Sequence, residues 1–214
     1  MAWSLRRLGI GFVGGGMVLA AGNAMAAEGS VAFRCPAPGT AIVTSIGEIV
    51  ALRDGADFHC LARIDGKTVD RVGQMLDASD DDAAPLQREL GAIWPLAVGK
   101  SVNFAVGIPN SPIVHQVTVK AKVAIDIPAG HFDTYLIEWT RFGVTCGAML
   151  DQAYRFYYEP HIGAVIKFER EPSAIAEDAR NWEAVEIAVP GEEVRPAMSR
   201  PGGPRLSFDG RHNQ

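Results

Sequence analysis

Between Val117 and Arg141 hydrophobic and polar positions alternate almost without interruption. Val117, Val119, Ala121, Val123, Ile125 and Ile127 fall in one phase, with Thr118, Lys120, Lys122 and Asp126 in the other. A period of two marks a half-buried strand, because successive side chains leave a pleated backbone on opposite faces. Pro128-Ala129-Gly130 breaks the run, and a second strand follows that sets Tyr135, Ile137 and Trp139 in one phase. The pattern predicts a central β-hairpin.

Shorter strand signals lie on both sides of it. Residues 40–76 hold runs with β-branched residues at Thr40–Ser45, Glu48–Arg53, Phe58–Ile64 and Thr68–Leu76, divided by Asp54-Gly55 and Asp65-Gly66. Asp-Gly pairs favour tight hairpins because glycine accepts a positive φ. Further strands are predicted over Ser101–Gly107, Ala153–Tyr158, Ala164–Arg170 and Trp182–Val189. A polar stretch after Glu171-Pro172 is open to a helical reading. The acidic run from Asp77 to Asp82 has neither the glycine nor the alternating ligands of a hand-type calcium loop. It reads instead as the approach to a short helix, with Asp81 or Asp82 as N-cap and Pro85 in the first turn. Leu86, Leu90 and Ile93 then recur at helical spacing, and the helix ends near Gly91. Strand after strand on turn-length links predicts a mainly β fold, a curled antiparallel sheet (half-barrel or β-meander) with one short helix.

The two ends differ from this body. Residues 1–26 carry Arg6 and Arg7, an uncharged apolar run from Leu8 to Ala21, and Ala24-Met25-Ala26 before a cleavage point at Ala27. That is the layout of a Sec-type signal peptide. The expected location is periplasmic or secreted, with no membrane span after cleavage. Residues 27–189 form the single β-rich domain. From Pro190 to residue 214 proline, glycine and arginine dominate, which predicts a disordered tail with little to bury. Cleavage removes two of 20 basic residues and none of 25 acidic ones, leaving a net charge of −7. Phosphate binding requires clustered Lys and Arg, so nucleic acid is excluded as a partner.

Candidate chemistry is sparse. Three cysteines, Cys35, Cys60 and Cys146, allow three pairings, and an exported protein favours forming one of them. Cys35–Cys60 is preferred, since it ties the N-terminal arm to the first strands and leaves Cys146 as a passive thiol. The histidines show no metal-ligand spacing and no nucleophile elbow occurs, so no metal, no cofactor and no catalytic residue is assigned. Asp133 and Glu138 are the one carboxylate pair that could serve a hydrolase. Aromatic residues concentrate in the second half of the domain. Tyr154, Phe156 and Tyr158 share one phase of their strand, with Tyr157 opposite. Together with Tyr135, Ile137 and Trp139 they would line the concave face of a curled sheet, either as packed core or as an apolar cavity.

Three motifs within residues 93–170 resemble a group of uncharacterised secreted bacterial β-sheet proteins known only as a domain of unknown function. They are Trp94-Pro-Leu-x-Val-Gly-Lys100, Ile127-Pro-Ala-Gly-x-Phe-Asp-Thr-Tyr-x-Ile137 and Tyr157-Tyr-x-Pro-x-x-Gly-Ala-Val-Ile-Lys167. The resemblance implies a periplasmic β-meander similar to the half-barrel lipoprotein carriers, and it implies no catalytic residues. The expected function is non-enzymatic: binding of an apolar or amphiphilic envelope ligand, a lipid or lipoprotein-like molecule, or an envelope protein. The alternatives are a structural or interaction protein that uses its edge strands, or a carboxylate-dependent hydrolase.

Overall fold

The computed structural model describes residues 30–53, 55, 58–77, 83–108, 111–145, 148–171 and 180–191. The expected signal segment, most of the acidic run, Cys146, the polar stretch after Pro172 and the tail beyond residue 191 lie outside the described residues.

Eleven strands among the described residues form one antiparallel sheet. The first meander is β1 (Ala41–Thr44), β2 (Ile49–Leu52), β3 (His59–Ile64), β4 (Lys67–Val72) and β5 (Leu76–Asp77). Helix α1 (Ala83–Gly91) follows. The second meander is β6 (Ser101–Ile108), β7 (Ser111–Ile127), β8 (Gly130–Thr145), β9 (Ala148–Glu159), β10 (Ala164–Arg170) and β11 (Trp182–Ala188). The order β5-β4-β3-β2-β1-β11-β10-β9-β8-β7-β6 joins the two meanders through the first and last strands of the chain. Ala41 stands opposite Ala188 and Ile42 opposite Ile187 along that seam. The edges are β5 and β6, so the connection bearing α1 must run from one edge of the sheet to the other.

Local chemistry explains the turns. Asp65 and Gly66 hold φ of 49° and 81° between β3 and β4, the mirror-image turn that the Asp-Gly pair predicts. The run expected as one strand, Thr68–Leu76, is two short strands, because Gly73 and Gln74 both take a positive φ and reverse the chain.

The long hairpin departs from its pattern in one respect. The phase containing Val117 through Ile127 was expected on a single face. Instead a β-bulge sits between Val119 and Ala121, opposite Ile137 and Leu136. One extra residue moves every later side chain to the other face. Val117 and Val119 therefore belong to one core, whereas Ile125 and Ile127 belong to another. Strand β10 shows that the two cores lie on opposite faces of the sheet. Its Val165 and Phe168 enter the first, and its Ala164 and Ile166 enter the second.

The first core gathers the aromatic residues of β8 and β9, with Leu90, Ile93 and Leu96 from α1 and the segment after it. Val31 extends the lid through paired backbone hydrogen bonds with Leu96. The second core packs Ile42, Val50, Leu52, Ala62 and Ala184 beneath the hairpin tip, where Phe132 and Ala129 close over it. The Ala129 amide donates to the Ala184 carbonyl at 3.2 Å and secures the tip. Cys35 and Cys60 form a disulfide with Cα atoms 5.5 Å apart, tying the N-terminal arm to β3.

Candidate functional site

The six side chains expected on the concave face do converge. Tyr135, Ile137, Trp139, Tyr154, Phe156 and Tyr158 are all buried within the first core. Trp139 meets Tyr154 edge-on at 6.3 Å between ring centroids, and Phe156 lies 5.2 Å from Phe168. Trp94 abuts Tyr158 at 4.9 Å. Over most of the face the lid fills the space, since Leu90, Ile93 and Leu96 are fully buried against these rings. Burial pushes the Tyr158 hydroxyl up to about 12, an effect that the neighbouring Arg34 partly opposes. The Trp139 indole N–H donates to Nδ1 of buried His115 at 3.1 Å, and that ring stacks on Phe104.

At one flank the packing leaves a partly open hollow of about 280 Å³. It is lined by Arg71, Gln74, Met75 and Leu76 from the β4–β5 hairpin and by Phe156, Val165, Phe168 and Trp182 from β9 to β11. Four strands separate β5 from β11 in hydrogen-bonding order, so their meeting across the hollow shows how far the sheet curls. Of the six residues expected on the concave face as packed core or cavity lining, Phe156 is among those that line this hollow.

Gln74 is the feature that sequence reading missed. It is 4% exposed, and its side-chain Nε2 has no hydrogen-bond partner among the described residues. It also holds φ at 64°, a conformation that costs a residue bearing a Cβ roughly 1 kcal/mol. Its neighbour Gly73 is fixed by a contact: a Cβ there would sit 2.6 Å from the Phe58 ring. The Gly73 amide donates to the Phe58 carbonyl at 2.9 Å, and the Met75 amide to the Val72 carbonyl at 3.0 Å, so the turn is held from both sides. A glycine inside an alternating run was the available signal for this turn.

The charged side chains sit elsewhere. Glu138 is paired with Lys120 at 3.1 Å and Arg155 at 3.8 Å, and Arg155 also bonds Glu171. Tyr157 donates to Glu169 at 2.9 Å, on the face away from Tyr158. Burial and this bond raise the Tyr157 hydroxyl to about 12. Burial acts to raise Glu169 as well, but its bonds to Lys167 and Tyr157 outweigh it and hold the carboxyl low. Asp133 and Glu138 are five residues apart on an uninterrupted stretch of β8 and so leave the strand on opposite faces. The structure does not bring them into one cleft. His59 pairs with Asp70 at 2.9 Å and His131 with Asp126 at 2.8 Å. Among the described residues no three His, Cys, Asp or Glu side chains gather as a metal site would require.

Fold and site together define a class: an open, strongly curled antiparallel sheet with an aromatic core packed on one face and a partly open hollow at its flank. Two solved structures are similar to the chain. One is the hypothetical lipoprotein YmcC from Escherichia coli (K12), 9% identical, with 60% of this chain and 73% of that one covered at a TM-score of 0.36. The other is an exported protein of YmcC-like fold from Bacteroides fragilis NCTC 9343, 11% identical, with 74% and 99% covered at a TM-score of 0.38. No family profile and no curated protein matches the chain. The motif resemblance over residues 93–170 thus rests on those motifs alone.

Proposed function

We propose that this is a non-enzymatic protein of the cell envelope that binds a small apolar or amphiphilic molecule in the hollow between the β4–β5 hairpin and strands β9 to β11. The observation that carries the reading is the hollow itself, where the side chains of Met75, Leu76, Phe156, Val165, Phe168 and Trp182 are joined by the polar Gln74 and the cationic Arg71. Binding sites are commonly apolar clefts with a few placed polar groups. At about 280 Å³ the hollow lies at the small end of such sites, which suits one ring or one short chain rather than a whole two-chain lipid. Export supports an envelope ligand, through the expected signal at residues 1–26. Among the described residues no helix is long and apolar enough to cross a membrane.

Native mass spectrometry of protein purified from the periplasm tests the reading. A bound small molecule that solvent extraction removes is expected. Repeated ligand-free spectra, together with no binding of a neutral apolar fluorophore, contradict it.

A second reading has one observation in its favour. Edge strand β6 runs for eight residues and pairs with β7 on one side. Such an edge can accept a partner strand. Sedimentation with and without envelope extract separates that role from ligand carriage.

A further inference from the structure

We infer that edge strand β6 pairs antiparallel with β6 of a second copy of this chain, with Phe104 at the two-fold axis. The inference names the partner for the edge-strand reading given above and is independent of the hollow.

Three observations meet on this strand. The first is that the two edges of the sheet are built differently. Strand β5 is two residues long, too short to template another strand. Strand β6 runs for eight residues and carries neither a charge nor a proline, the devices that usually blunt a free edge. The second is that the core stops short at β6. Val102, Phe104 and Val106 pack against the aromatic core yet stay only partly buried, whereas Val117 and Val119 on β7 are fully buried. Helix α1 reaches β6 over the concave face and adds no strand to its edge. The third is the phase of the hydrogen bonds. The Val119 amide donates to the Lys100 carbonyl at 2.9 Å, and in the same register Phe104 stands opposite His115. Hydrogen-bonded residues alternate along an antiparallel pair. Val102, Phe104 and Val106 therefore turn their backbone groups toward β7, and Ser101, Asn103, Ala105 and Gly107 turn theirs outward.

That phase selects a register. In two antiparallel copies of β6, outward-facing residues must meet outward-facing residues. Only the register centred on Phe104 pairs all four of them within the strand. It sets Asn103 opposite Ala105 of the second copy, and Val102 opposite Val106 of the second copy. Phe104 meets its own equivalent in a non-hydrogen-bonded pair, where side chains stand closest and aromatic contacts add to sheet stability. Each Phe104 already stacks on His115 at 4.9 Å, so pairing continues one row of rings across the axis. The chain as a whole is acidic, yet along this strand no charge meets its like. An uncharged, self-complementary edge on an acidic body suits a second copy.

Sedimentation velocity of the full chain over a dilution series tests this, with two double variants beside the wild type. The wild type is expected to dimerise reversibly. Asn103→Lys with Ala105→Lys sets like charges directly opposite at two places and should weaken the dimer roughly tenfold. Asn103→Lys with Ala105→Glu sets opposite charges at those places and should restore it. Both positions are exposed in the single chain, so the circular dichroism of either variant should match the wild type. Amide hydrogen exchange on the wild type needs no variant and decides the matter if the variants do not fold. The Asn103 and Ala105 amides should be protected where the dimer forms and should exchange freely on dilution. A wild type that stays monomeric at its highest soluble concentration overturns the inference. Growth in mass only with envelope extract would then leave the edge to a different partner. A dimer that the paired lysines leave intact, or in which the Asn103 and Ala105 amides exchange freely, overturns it by placing the interface elsewhere. So does a folded Lys–Glu variant as weak as the Lys–Lys one.

Discussion

Cys60 is fully buried, and its bond to Cys35 closes a loop across a sequence separation of 25. Cross-linking a loop of that length removes unfolded-state entropy worth about 3 kcal/mol. Cys60→Ser is expected to lower unfolding stability by roughly 2–4 kcal/mol in denaturant titration, and an unchanged midpoint would count against this role. A pH effect belongs to His131. Its hydrogen bond to Asp126 raises its pKa above 6.5, and the Asp126 charge adds to the shift. Because the folded value is the higher one, the favourable interaction is complete below pH 6.5 and is lost as pH rises through the folded value. NMR titration should show His131 titrating above its ordinary value and returning toward it in Asp126→Asn. The imidazole is exposed, so the global midpoint should scarcely move. At this scale the disulfide partners were legible, since the expected export and the short intervening strands favoured that pairing. Gln74 was not. A glutamine in a polar-looking run carries no mark of burial, and only the closure of the sheet buries it.

At the scale of elements, strand phases and turns were legible wherever local chemistry decides them. Asp65-Gly66 makes its turn, and Tyr154, Phe156 and Tyr158 share a face opposite Tyr157 because β9 is regular. The bulge at Lys120 left no trace in the pattern, since the apolar phase from Val117 to Ile127 runs on unbroken across it. What fixes the bulge is the demand of two separate cores, which is a property of the assembled sheet. The lid was half legible. The spacing of Leu86, Leu90 and Ile93 predicts the helix, but nothing local says which face of which sheet it covers. Leu90 is fully buried against the aromatic cluster, so Leu90→Ala should cost about 2–5 kcal/mol in denaturant unfolding. A loss well under 1 kcal/mol would show that α1 does not seal the concave face.

At the scale of the molecule, one topological fact organises the rest. The first and last strands pair, so both meanders hang from the β1–β11 seam and the chain must cross between the outer edges. That crossing supplies the lid. The same curl carries the β4–β5 hairpin over β9 to β11 and leaves the hollow between them. Concave-face residues could be listed from alternation, whereas the place where packing stops could not. It depends on which segments return across the sheet, and such long-range pairings have no local signature. Phe156, one of the six residues expected on the concave face, lines the hollow, and the packed core holds all six.

Tryptophan fluorescence tests directly whether this hollow holds an amphiphile. Trp182 lines the hollow, while Trp139 lies in the packed cluster beside it. A decanoic acid brominated at its far end quenches indoles that it touches. Quenching should be strong in the wild type, persist in Trp139→Phe and largely disappear in Trp182→Phe. Quenching that survives in Trp182→Phe, or that is lost instead in Trp139→Phe, would show that the acid does not sit in this hollow.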